Sequence, residues 1–162
     1  MATTREDNLM AWLRDAHAME HQAIEMLEKM VNRVKDYPEL QAKVREHLDQ
    51  THRQADMVLK CIERRGGSTS IVKDTMGKLI GTGQALSGLF VSDEVVKGAI
   101  ASCTFERYEA SCYRVLAATA EEVGDHETKR VCEEILRQEE AMGDWLWQHL
   151  PQVTRQFLQK AA

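Results

Sequence analysis

Proline is scarce in this chain, with two among 162 residues, and no apolar run approaches the length of a membrane-spanning segment. So few prolines leave room for long unbroken helices, whereas a bilayer helix would need about 20 consecutive apolar residues. The first residues, MATTREDNLM, do not have the charged-then-apolar build of a signal peptide. A cytoplasmic protein with no membrane partner is the expectation. Basic residues are outnumbered, 21 against 26 acidic for a formal charge of -5, which argues against nucleic acid as a partner because phosphate binding needs a basic surface. Cys61, Cys103, Cys112 and Cys132 show no C-x-x-C spacing and read as reduced, packed thiols. No G-x-S-x-G, P-loop or G-x-G-x-x-G string occurs, and GTGQALSG has neither the lysine nor the strand context for cradling phosphate. Hydrolase and nucleotide-dependent chemistries find no footing.

What the chain has is helical periodicity. Apolar residues make up 43% and charged residues 29%, a balance that favours a folded, helix-rich single domain over residues 1–162. Leu9, Leu13, Ala16, Ala23, Leu27, Met30 and Val34 recur at three- and four-residue steps and predict a first helix from about Asp7 to Val34. Pro38 suits the first turn of a second helix, with a seam of Val44, Leu48, Thr51, Ala55, Val58 and Ile62, stopped by Gly66 and Gly67. A glycine-interrupted stretch follows, with room for one short helix from Ile71 to Leu86. Ser92 caps a third helix running to about Val123, and Gly124 ends it. Asp125 caps a fourth, which Pro151 closes, leaving the remaining residues as a tail. Two up-down helix pairs joined by one long crossover make an all-α four-helix bundle.

A faint internal repeat has the same plan. AMEHQAIEML, from Ala18, aligns with RYEASCYRVL, from Arg107, and sets Glu20 on Glu109 and His17 on Glu106. EHLDQTHRQA, from Glu46, aligns with EILRQEEAMG, from Glu134, and sets Thr51 on Glu139.

Glu20, Glu109 and Glu139 stand where the pattern calls for apolar residues. A buried carboxylate is costly unless it shares a proton, meets a cation or binds a metal. Di-metal bundles place one Glu on each of two helices and Glu-x-x-His on each of the others, because paired iron or manganese ions need about six oxygen and nitrogen donors. Glu106 joins Glu109 at that spacing, and His17 joins Glu20. On the fourth helix Met142 holds the place of the histidine, with Asp144 nearby but rotated away from the seam and counted as a helper. The second helix has Thr51 where a carboxylate is wanted, flanked by His47, His52 and Gln54, of which His52 and Gln54 are the expected helpers. A lone Glu in a helical seam is also read as a boundary residue reaching water; three at one depth favour an interior role. Tyr108 and Tyr113 lie close to this level as packing residues or phenolic donors, and either Trp145 or Trp147 is left for a dimer contact.

WLRDAHAMEHQA, the YPEL turn, SDEVVKGAI, FERYEASCY and EEAMGDWLWQHLPQ together resemble the YciE/YciF family of bacterial ferritin-like proteins, its YciE members above all, over nearly the whole chain. The resemblance implies a ferritin-like bundle, dimeric, associated with general stress responses and carrying an ill-defined metal site. It places Glu20, Glu106, Glu109 and Glu139 at the acidic positions of the family's helical core and Gln54 at its second-helix amide. The expectation is an iron-binding or manganese-binding protein, di-iron if the set is complete, with oxidation of Fe(II) as its natural chemistry. The alternative is a non-catalytic structural or interaction dimer whose metal site has degenerated.

Overall fold

The computed structural model describes residues 3–67 and 95–160. The expected short helix from Ile71 to Leu86 and the Ser92 cap lie outside those residues. Four helices follow in order: α1 (Arg5–Arg33), α2 (Pro38–Arg64), α3 (Val95–Glu122) and α4 (His126–Lys160). Among the described residues there is no strand, and the architecture is the all-α ferritin-like bundle.

Five of the helix ends have a local cause. Thr4 opens α1 with a capping box, its hydroxyl accepting from the Asp7 N–H at 3.1 Å while the Asp7 carboxylate accepts from the Thr4 N–H at 3.0 Å. Pro38 starts α2, where a missing N–H costs no hydrogen bond. Gly66 and Gly124 end α2 and α3 with φ of 77° and 74°, a left-handed turn that a side chain would strain. Asp125 then caps α4 by accepting from the Thr128 N–H at 3.0 Å.

Helix α4 does not stop at Pro151. It runs on to Lys160, so the expected tail is the last part of the helix. Proline removes one N–H, and its natural acceptor four residues back belongs to Trp147, on an exposed face where water can serve the carbonyl. Beyond the proline, buried Val153 and half-buried Phe157 pack against Leu40, Val44 and Leu146. That apolar contact outweighs the lost hydrogen bond.

End-to-end contacts fix the helix directions. Arg5 at the start of α1 pairs with Glu122 at the end of α3, and Arg65 at the end of α2 pairs with Glu6 and Asp125. At the opposite end, Gln152 of α4 donates to Glu39 of α2 at 2.7 Å. Thus α1 and α4 point one way and α2 and α3 the other. The closest associations are α3 with α4 and α1 with α2; the two pairs meet each other less extensively. Gly143 helps α3 and α4 approach, since a Cβ there would lie 3.4 Å from Glu106 Cβ and from Arg107 Nε.

The apolar core is in two parts. Leu9, Leu13, Val58, Ile62, Leu116 and Ile135 fill the end where α1 begins. Leu27, Met30, Val44, Cys103, Met142 and Leu146 fill the other. Between them lies a layer of buried polar side chains.

Asp125 is the hub of the first end, holding Arg64 at 2.5 Å, Arg65 at 2.6 Å and the Thr128 hydroxyl at 2.8 Å. Burial alone would raise its pKa, but the Thr128 donors and the two arginines outweigh that and hold it well below the usual carboxylate range. Asp125→Ala is expected to lower unfolding stability at pH 7 by about 2 kcal/mol, read from urea denaturation. A depressed pKa stabilises above the unfolded value and is lost as pH falls, so the penalty should shrink below about pH 4. A penalty that is the same at pH 3 and pH 7 would show that the carboxylate charge is not what holds this end.

Candidate metal centre

The polar layer takes one or two turns from every helix. Glu20 comes from α1; His47, Thr51 and Gln54 from α2; Glu106, Glu109 and Tyr113 from α3; Glu139 from α4. All four glutamates are between 0% and 2% exposed, far less than a snorkelling boundary residue would be. The i, i+3 step of Glu106 and Glu109 puts both carboxylates on one face of α3, as expected.

His47 is the centre of one half. Its Nε2 lies 2.9 Å from Glu106 Oε2 and 3.5 Å from Glu139 Oε2, and donor atoms of these three residues all fall within 4.8 Å of one another. The Glu106 approach is of ion-pair length but off the line of a directed hydrogen bond, which leaves that oxygen without a hydrogen-bond partner. On the other side of the ring, Nδ1 lies 3.1 Å from Gln50 Oε1, an atom that only accepts. A proton on Nδ1 suits that contact, and when the ring is neutral this tautomer leaves Nε2 as the ligand atom on the carboxylate side. Thr51 donates to the His47 carbonyl at 2.9 Å, bonding back along its own helix.

The other half is held by an amide and a phenol. Gln54 Nε2 donates to Glu139 Oε1 at 2.5 Å and to Gln138 Oε1 at 3.0 Å, and Tyr113 donates to Glu20 Oε1. Oxygens are left over: Glu20 Oε2, Glu109 Oε1, Glu139 Oε2 and Gln54 Oε1 are buried with no hydrogen-bond partner among the described residues. Several unpartnered acceptors in one small volume are the arrangement expected of donors for a cation.

The electrostatics agree. Burial, followed by the Glu139 charge, pushes Glu20 well above the usual carboxylate range. Burial also raises Glu109, with Glu139, Glu20 and Glu106 adding to the shift. Glu106 is raised by burial to about 8 even though His47 draws it down. For His47, burial favours the neutral ring, but the neighbouring Glu106 and Glu139 carboxylates outweigh it and raise the pKa well above normal. Burial and Glu20 raise Tyr113 in turn. One imidazolium does not balance four carboxylates, so protons must be held in the cluster when no cation is there.

The structure gathers Glu20, Glu106, Glu109, Glu139 and Gln54 as the sequence suggests. It does not gather His52 or Asp144. His52 is exposed on the outer side of α2, a consequence of standing next to the inward Thr51 rather than one turn from it. Asp144 is exposed and paired with Arg107. His17 is buried but sits apart from the cluster, its ring edge-on to His21 and its pKa lowered by burial to about 4. His47 takes the place expected of His52. The signal for it was the stripe Leu40, Val44, His47, Thr51, Gln54, Val58, which keeps alternating four- and three-residue steps; the apolar Leu48 drew the seam one residue away.

Solved structures share this bundle. A Xanthomonas campestris pv. campestris protein is 32% identical, with 98% of this chain and 99% of that one covered and a TM-score of 0.81. The E. coli stress protein YciF is 21% identical, covering 95% of this chain and 99% of its own, with a TM-score of 0.79. YcfI from Rhodopseudomonas palustris is 23% identical over 88% of this chain and 92% of its own, with a TM-score of 0.69. These agree with the YciE/YciF-like character of the sequence. The family model described as a domain of unknown function, DUF892, matches residues 4–159, and the chain belongs to that family.

Proposed function

We propose that this protein is a ferritin-like metal-binding protein that holds iron or manganese in the buried polar layer. The observation that carries the reading is the set of unpartnered carboxylate oxygens facing His47 inside the bundle. The donors fit such an ion: carboxylate oxygens are hard ligands and imidazole suits iron and manganese alike. Charge sets the number. Four ionised glutamates are neutralised by two divalent cations, with His47 neutral as a further ligand, so a di-iron or di-manganese occupancy removes the need for stored protons. In this reading Glu20, His47, Glu106, Glu109 and Glu139 hold the metal and Gln54 offers its carbonyl. Bound iron with an open position would supply oxidation of Fe(II) by oxygen or peroxide. Gln50 then fixes the His47 tautomer, while Tyr113 holds one Glu20 oxygen and leaves the other turned to the site.

A cytoplasmic place in the bacterial stress response fits the likeness to YciF, which is described as a stress protein. The partner in this proposal is a second copy of the chain, with no nucleic acid involved; the exposed Trp12, Tyr108 and Val115 beside a groove between α1 and α3 favour such a pairing. A second reading draws on Thr51 and Met142, which stand where di-metal bundles place ligands. Under it the chain is a structural dimer that binds no metal.

Metal analysis separates the two. Protein purified without a chelator or affinity tag, and again after anaerobic Fe(II) loading, should contain up to two ions per chain, and Glu109→Ala should lose at least half of them. A content indistinguishable from zero in loaded wild type would sink the metal proposal.

A pH series on metal-free protein tests the electrostatics. Glu20, Glu106 and Glu109 have folded pKa values raised above the unfolded value, so their contribution is complete below about pH 4.5 and is lost as pH rises, for Glu106 through about 8. The melting temperature should fall across that window as the unfolding free energy drops by up to about 1.4 kcal/mol per pH unit for each proton involved. Glu109→Gln should flatten the fall, and saturating Mn(II) should reverse it because metal binding competes with protons. A wild-type slope unchanged by Glu109→Gln would mean that the cluster does not govern it.

A further inference from the structure

A cleft of about 270 Å³ opens to solvent between α2 and α4, directly outside the polar layer. Its inner wall carries Gln50 and Gln138, both half-buried, together with the buried Met142. Each glutamine is one hydrogen bond from the cluster: Gln50 Oε1 lies 3.1 Å from His47 Nδ1, and Gln138 Oε1 accepts from Gln54 at 3.0 Å. The two occupy equivalent positions in the internal repeat, in the strings EHLDQTHRQA and EILRQEEAMG. The same repeat that builds the site thus places an amide on either side of one opening. The outer lining has Lys43 and Arg137 against Glu46 and Glu134, and Lys43 pairs with Glu46 at 3.1 Å, so the four charges cancel. A neutral, polar mouth gives a hydrated cation no net repulsion, and amide oxygens can replace part of its water shell.

The groove on the opposite seam has different chemistry. The groove between α1 and α3, about 320 Å³, is lined mainly by Trp12, Met19, Cys112, Val115 and Leu116, with Asp15 as its one carboxylate among the described residues. Apolar walls of that kind offer an ion almost nothing in exchange for lost hydration.

We propose that the α2–α4 cleft is the port through which divalent cations enter and leave the buried cluster, with Gln50 and Gln138 as its inner gate. The proposal rests on the metal-binding reading. Swinging Gln138 away from Gln54 opens a path to Glu139 without unfolding either helix, and Gln50 does the same at His47. The thin contact between the helix pairs makes this seam the easiest to part.

The test is the rate of Co(II) uptake by full-length metal-free protein, followed by stopped-flow absorbance, with release into a chelator as its reverse. Ala141→Trp, at an exposed position in the cleft, should slow both rates by about tenfold or more, equivalent to ~1.4 kcal/mol on the barrier, with Kd within a factor of about two. Gln138→Ala should speed both. Ser111→Trp, at an exposed position in the opposite groove, should leave the rates unchanged. Circular dichroism of each variant checks the fold. Unchanged rates in Ala141→Trp, or slowing by Ser111→Trp instead, would overturn the port while metal binding stood. No Co(II) uptake by wild type would overturn both readings together.

Discussion

Four carboxylates shut inside a helical bundle cannot all carry charge without an answering cation, and much of this structure is arranged around that constraint. An ionised side chain in such a place costs several kcal/mol even after relaxation. The protein answers with His47 between Glu106 and Glu139, Gln54 on Glu139 and Tyr113 on Glu20. These groups account for some of the oxygens and leave others unpaired. A purely structural polar layer would be expected to satisfy all of its members, because half-satisfied networks are worse than apolar packing. That unfinished bonding is the ground on which a cation is proposed for the layer.

The cost of this layer has to be met elsewhere. It divides the apolar core into two blocks, each closed by side chains from all four helices. Polar clamps sit at the ends: Asp125, held by Arg64 and Arg65, at one, and Glu39 with Gln152 and His149 at the other. The continuation of α4 past Pro151 belongs to the same compensation, lengthening the apolar block on the far side of the cluster. The end clamp and the cluster also respond to acid in opposite senses. Lowering the pH weakens Asp125 and relieves the buried glutamates, so the two halves of the molecule have different optimal conditions.

Much of this was legible in the residues. The helix boundaries followed from Pro38, Gly66, Gly124 and Asp125 because each acts through local backbone chemistry. Glu20, Glu109 and Glu139 were visible as charge on an apolar stripe, and Glu106 from its i, i+3 relation to Glu109. Pro151 misled because its local cost is certain while the compensating contacts of Val153 and Phe157 are made with distant helices. His47 was obscured by its neighbour Leu48, since both fit a helical stripe and periodicity cannot choose between adjacent residues. The reach of Asp144 depended on a rotation about α4 that Arg107, on another helix, makes evident.

The internal repeat explains why the site is lopsided. Glu20 and Glu109 are equivalent and both are carboxylates, but Thr51 answers Glu139, and Gln54 answers Met142. His47 answers Ile135, a fully buried apolar residue in the other half. Each half of the bundle thus has a different way of filling the same space: α4 keeps a carboxylate and otherwise turns apolar, while α2 trades the carboxylate for imidazole, hydroxyl and amide. That exchange lowers the negative charge by one without removing a donor, because His47 offers nitrogen where the repeat would give a hydrocarbon. The asymmetry of the ligands follows from these substitutions on α2, whereas the cleft outside them keeps a matching glutamine, Gln50 or Gln138, from each half.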